Sequence, residues 1–255
     1  MIYFPMLRTR RLVVQLQELS IGASLELAAM PAHMGELSCT AFLRRAVQTA
    51  TGVEDPASWT VQERTLVVAH YLAATAEDGP DFKLDSGSKY SDYLDGGKDI
   101  PTPADAISIG ELGGDVWRLQ HLTGAMAEAI ERVLGEVPGV GGRLHWLLGA
   151  MSAQMLRANE ATPDVTAGDY DESLLARMKI FMAYPSSSFA ALMSKYLGGR
   201  ERLHHLFRFD FNDDGIVILP KGGDAVNLPP ARFPVDACIP SIAFELVGKH
   251  DGPGI

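Results

Sequence analysis

The stretch Thr60-Val-Gln-Glu-Arg-Thr-Leu-Val-Val-Ala-His-Tyr-Leu-Ala-Ala-Thr75 constrains the fold of this 255-residue chain more than any other segment. Thr60-Val-Gln-Glu63 has the form of a capping box. The Thr hydroxyl accepts from the Glu backbone N–H, and the Glu carboxylate reaches back to the N-cap N–H. Behind it, Val61, Leu66, Val67, Val68, Tyr71 and Leu72 leave only a narrow polar stripe. A helix that is apolar around most of its circumference must be enclosed by other elements. The spacing therefore predicts a helix at the centre of the core, with partners on most sides.

Upstream, residues 10–19 alternate Leu12, Val14 and Leu16 with Gln15 and Gln17, the period of a half-buried strand. Ser20 reads as the N-cap of a helix carrying Leu25 and Leu27 that stops before Pro31. A second helix is predicted over about 35–50, with Leu37, Phe42, Leu43 and Val47 inward. Downstream, residues 77–104 hold neither period. They are rich in Asp and Gly and carry the aromatics Phe82, Tyr90 and Tyr93. A loop of this length in a compact domain is a functional excursion or a disordered segment. Its aromatics predict an arm that packs either on a neighbouring molecule or back on its own domain.

A helical region resumes after the arm, with helices over about 122–135 and 143–158 separated by a turn-rich Val137-Pro-Gly-Val-Gly-Gly142. Another begins near Asp171 and ends at Tyr184-Pro185. The next, announced by Ser186-Ser-Ser188, runs through Phe189, Leu192, Met193 and Tyr196. It is predicted to end at Gly198-Gly199, a C-cap pattern. After residue 203 the pattern turns to short strands and Pro-rich connections. These features predict an α+β fold: a helical core over 1–203 with an N-terminal strand, and a small β appendage over 204–255 packed on it.

Charge bears on partners. The formal net charge of −10 argues against nucleic acid, because a phosphate-binding surface needs clustered Lys and Arg to release counterions. Arg8, Arg10 and Arg11 read as the solvated start of a strand. The N-terminal MIYFPMLRTRR places its charges after the apolar residues, unlike a secretory signal. No run reaches the roughly 20 apolar residues of a membrane span. Cys39 and Cys238 lie far apart among apolar residues and predict buried thiols in a reducing cytosol rather than a disulfide framework.

Tests for chemistry are negative. Gly135-Glu-Val-Pro-Gly-Val-Gly-Gly142 lacks the Lys-Ser/Thr of a phosphate loop, and Leu144 stands where a dinucleotide fingerprint needs its third Gly. His33, His70, His121, His145, His204, His205 and His250 give no pair spaced as in a helical zinc hydrolase motif. No Ser sits in G-x-S-x-G. Cys39 reads as an inert core thiol. The acidic groupings Asp92 with Asp95, and Asp169 with Asp171 and Glu172, read as solvated surface. No catalytic residue, cofactor-binding residue or metal ligand is assigned. A dispersed metal-dependent hydrolase site using His204 or His205 with Asp210 is one alternative, and a soluble bacterial adaptor is another.

Asp210-Phe-Asn-Asp-Asp-Gly-Ile216 opens like a calcium loop of the EF-hand type. Lys221, however, occupies the position where a bidentate Glu belongs. The flanks alternate as strands, with Phe207, Phe209 and Phe211 on one side and Ile216 and Ile218 on the other. The segment therefore predicts a β-hairpin with an acidic tip, its turn at Asn212–Gly215 or, more tightly, at Asp214-Gly215. The aromatic residues Phe82, Tyr90, Tyr93, Phe207, Phe209 and Phe211 are the candidate partner contacts.

Residues 60–75, Asp81-Phe-Lys-Leu84 with Tyr90-Ser-Asp-Tyr-Leu94, residues 111–133, and His145–Leu156 together resemble virion proteins of tailed bacteriophages. The nearest group is the baseplate hub and hub-assembly subunits of contractile-tailed, T4-like phages. The resemblance covers roughly residues 10–200, and its motifs are structural. It implies a non-enzymatic tail-tip or baseplate component, made in the bacterial cytoplasm and located in the virion. Such a component would act in several copies of a symmetric assembly through contacts with other tail proteins.

Overall fold

A computed structural model describes residues 2–84, 86–99, 106–223 and 227–248. In chain order its elements are β1 (Leu7–Arg8), β2 (Val13–Leu16), α1 (Ile21–Ala28), α2 (Gly35–Ala46), β3 (Val47–Thr51), α3 (Val61–Thr75), β4 (Ile107–Leu112) and β5 (Asp115–Leu119). These are followed by α4 (Gly124–Arg132), α5 (Gly142–Gln154), β6 (Met155–Arg157), α6 (Tyr170–Met182), α7 (Ser186–Arg202), β7 (Arg208–Asn212), β8 (Gly215–Leu219) and α8 (Ser241–Leu246). The fold is α+β, with small sheets in the orders β1-β2-β3, β4-β5-β6 and β7-β8.

The chain divides into two compact units. The first comprises Met1–Pro101, His205–Asp210 and Val217–Ile255; the second comprises Thr102–His204 and Phe211–Ile216. The segment after residue 204 contributes to both units. Leu206, Phe207, Ile218 and Ala231 share an apolar cluster with Leu66 of α3 and Tyr93 of the arm. Short strands cannot bury both faces among themselves, so they take their cover from a helix made much earlier in the chain.

In the first unit α3 is the central element that its pattern predicts. Thr60 Oγ1 accepts from Glu63 N and Glu63 Oε2 accepts from Thr60 N at 2.8 Å, completing the capping box. Val67, Val68 and Tyr71 pack with Leu12, Val14 and Leu16 of the N-terminal sheet, Phe42 and Leu43 of α2, and Phe244 of α8. Ser20 caps α1 by accepting from Ala23 N.

The second predicted helix stops early, at Ala46. Val47–Thr51 is a strand that pairs antiparallel with β2, Val14 opposite Ala50 and Leu16 opposite Val47. The β-branched Val47, Thr49 and Thr51 favour that outcome, because they pack well on a pleated surface. The C-terminal region also differs from its reading, since after Pro240 the chain forms the short helix α8 against α1.

In the second unit, residues 107–119, for which the pattern predicts neither helix nor strand, form a hairpin. Gly113 and Gly114 both take positive φ, 65° and 87°, the requirement of a two-residue turn that matches strand twist. The helix expected over 143–158 ends at Gln154, and Met155–Arg157 adds a third strand, Leu119 opposite Met155. Helix α7 does not stop at Gly198-Gly199 but continues to Arg202. A Cβ on Gly199 would lie 2.7 Å from both Ile109 Cγ2 and Leu119 Cδ2. That glycine brings the helix against the sheet; it is not a cap.

Candidate functional site

The arm folds back on its own unit. Lys83 and Lys89 form an isolated antiparallel bridge, and Tyr90 N donates to Phe82 O at 3.0 Å. Asp81 then receives Ser91 N at 2.8 Å and Ser91 Oγ at 3.0 Å. Further along, Asp95 N donates to Leu206 O and Leu206 N to Lys98 O. These two bonds hold Leu206 at φ 58°, a left-handed conformation that is unfavourable for a residue with a branched side chain. Lys221 closes the other edge, its N donating to Asp92 O and its Nζ to Ser91 O.

Beneath these bonds the aromatic residues meet. Phe82 and Tyr90 stack at 5.4 Å between centroids, and Phe233 stands edge-on to Phe82, Tyr90 and Tyr93. Phe207 lies 6.0 Å from Phe233 and 6.3 Å from Tyr90. Tyr93 is fully buried, and its hydroxyl donates to Pro229 O at 2.7 Å and meets Ser88 Oγ at 3.0 Å. Burial pushes the Tyr90 phenol well above its usual range, and the charge of Asp81 adds to the effect.

The six candidate contact residues therefore separate. Phe82, Tyr93 and Phe207 are buried, and Tyr90 and Phe209 are half-buried against the same cluster. Phe211 belongs to the second unit, where it is buried and Arg200 stands 5.2 Å from its ring. The arm's aromatics are covered by Phe233 and Phe207, which follow in sequence by more than a hundred residues. No local pattern could have named those partners.

The acidic tip is likewise occupied within the chain. The strands leave Asp213-Asp214 as a two-residue turn, where Asn212 Oδ1 accepts from Asp214 N at 3.0 Å. Asp213 Oδ1 accepts from Arg143 N at 3.0 Å, and Arg143 Nε donates to Phe211 O. Helix α5 has no side-chain cap of its own at Gly141. The Asp213 carboxylate supplies one, where the unpaired N–H groups and the helix dipole favour negative charge.

The histidines of the hydrolase alternative are held differently. Buried His205 places Nε2 2.9 Å from Thr60 Oγ1. The same Thr60 oxygen accepts from Glu63 N. His204 is half-buried and belongs to the second unit. Among the described residues, no three or more His, Cys, Asp and Glu side chains are grouped to hold a metal ion. Likewise, no helix among them is long and apolar enough to cross a membrane.

Charged groups also lie in the interior of the first unit. Glu63 is buried beside Arg11, 3.4 Å away, and burial raises its carboxyl above the usual range while Arg11 pulls it back. Arg64 is 2% exposed and donates to Glu36 O at 2.6 Å, with the Glu36 carboxylate at 3.4 Å.

Residues that the sequence reading passed over lie on α1 and α8, which pack together. Ile21, Ile242 and Leu246 are 55%, 48% and 63% exposed, although Leu27, Ala243 and Phe244 of the same helices are buried. The signal was present as apolar residues outside the inward stripe. It is hard to read in α8 because a six-residue helix shows barely two turns of periodicity. Comparisons of the chain with protein-family models, with curated proteins and with solved structures give no significant match.

Proposed function

We propose that this protein is a structural or assembly component of a bacteriophage tail baseplate or hub, acting through protein–protein contacts. Its partners are other tail and baseplate proteins, and it works in several copies of a symmetric assembly in the virion. The specific setting follows the resemblance of residues 10–200 to phage hub subunits. The observation that carries the interaction reading is the exposure of Ile21, Ile242 and Leu246 on α1 and α8, two helices that pack together. Side chains of this size left in water by two adjacent helices favour a contact that removes them from it. The buried aromatics support the surface indirectly, by keeping the arm and the C-terminal segment in one ordered unit.

Ile21→Ser combined with Leu246→Ser tests this reading. Such surface changes alter stability by only about 0.5 kcal/mol each, so the melting temperature should stay close to that of the parent. Co-purification with the tail and baseplate proteins of the same phage should fall about tenfold or more, equivalent to at least about 1.4 kcal/mol of binding. Unchanged co-purification by a folded variant would refute the assignment of the surface.

A further inference from the structure

The two cysteines lie far apart in sequence but within one part of the first unit. Cys39 is on α2, on the stripe Cys39, Phe42, Leu43 and Ala46 that helical spacing turns to one face. Phe42, Leu43 and Ala46 are buried in the main apolar cluster of that unit, and Cys39 packs against it. Cys238 closes the 3₁₀ turn Val235–Cys238, which packs on both α2 and α3 and belongs to the same cluster. Neither is in a disulfide. Cys39 is partly exposed and Cys238 is buried.

Their environments divide the roles. Burial pushes the Cys238 thiol well up, and the neighbouring Cys39 and Asp236 push in the same direction. Cys238 is thus held as a protonated thiol, whereas Cys39 is the less buried of the two. A small oxidant meets the less buried sulfur first, and the neighbouring thiol resolves the adduct once it has given up its proton.

We propose that Cys39 and Cys238 are a redox pair that closes into an intramolecular disulfide, stapling the turn ahead of α8 to α2. The oxidant is a small-molecule disulfide such as oxidised glutathione. Cys39 thiolate attacks one of its sulfurs and expels one glutathione thiolate, forming a mixed disulfide. Cys238, losing its proton to solvent, then attacks the Cys39 sulfur and expels the second glutathione. The protein loses two thiol protons and two electrons, and the oxidant's S–S bond is reduced to two thiols. In a reducing medium the pair stays open. Transfer to an oxidising one joins two segments separated by most of the chain, and closing so long a loop restricts the unfolded ensemble strongly.

Incubation of the full-length protein with excess oxidised glutathione tests the pair. The expected product is a monomer about 2 Da lighter, the loss of two hydrogens on S–S closure. Proteolysis without reductant should release one peptide pair joined through Cys39 and Cys238. The melting temperature should rise by several degrees and revert on reduction. Cys39→Ser should abolish the product and suffices as a control if Cys238→Ser does not fold. A persistent glutathione adduct on Cys39, a disulfide-linked dimer or no reaction would each overturn the proposal.

Discussion

The two units hold their interiors together by different means. The most deeply buried polar residues of the first include Glu63 and Arg64, with Thr60 and His205 beside them. Those of the second are His145, Ser152 and Gln154. There, Gln154 links Tyr196 and Gln120: its Oε1 accepts from the Tyr196 hydroxyl at 2.7 Å and its Nε2 donates to Gln120 O at 2.8 Å. The second unit also relies on close approach. A Cβ on Gly149 would lie 2.7 Å from Ile130 Cγ2, as one on Gly199 would from the sheet. The interior of the first unit is therefore vulnerable to the loss of a charge partner, and that of the second to a methyl group added at Gly149 or Gly199; the first unit's own tight glycine, Gly52, lies at its surface against Arg11 O.

Breaking the charge network should have the largest effect. Arg64→Ala leaves the Glu36 carboxylate without its buried partner and opens a void, and should cost about 3 kcal/mol in denaturant unfolding. Arg64→Met, which keeps the volume, should cost clearly less. The second unit should answer with Gly199→Ala. Alanine favours a helix over glycine by about 1 kcal/mol, yet the clash with Ile109 and Leu119 should reverse the sign to a net loss of about 1–2 kcal/mol. A more stable Gly199→Ala protein would show that α7 does not depend on this approach. Smaller again is Tyr93→Phe, which keeps the ring but leaves Pro229 O without the hydroxyl. About 1 kcal/mol should be lost.

Acid titration sharpens the contrast with opposite signs. His145 donates Nε2–H to Ile130 O at 2.7 Å, and its Nδ1 has no hydrogen-bond partner among the described residues. Burial lowers its pKa, so the unfolded chain takes up the proton first. Its stabilising contribution is present above the ordinary imidazole value of about 6.5 and is lost as pH falls from there toward the folded value. Glu63 runs the other way. Its folded pKa is raised by burial, so its contribution is greatest below the ordinary carboxylate value of about 4.3 and declines as pH rises toward the folded value. Stability measured against pH should therefore lose its fall below neutrality in His145→Gln and change in the opposite sense in Glu63→Gln. Identical pH profiles for the two variants would contradict this division.

The features legible in the residues themselves are those that close within a short stretch of chain. The Thr60–Glu63 capping box, the Ser20 cap and the acidic hairpin tip were legible because donor and acceptor lie within one turn of chain. The central position of α3 was legible too, since an apolar circumference must be covered whatever covers it. The folded arrangement of the whole chain set where helices give way to strands, at Ala46 and Gln154, because a strand needs a partner elsewhere in the chain. It alone turned Gly199 from an apparent stop into a point of close contact with Ile109 and Leu119. It also sent Phe82, Tyr90 and Tyr93 under Phe207 and Phe233, and Asp213 to the start of α5. Side chains are buried by whatever surface the folded chain brings to them, and no local period records which surface that will be.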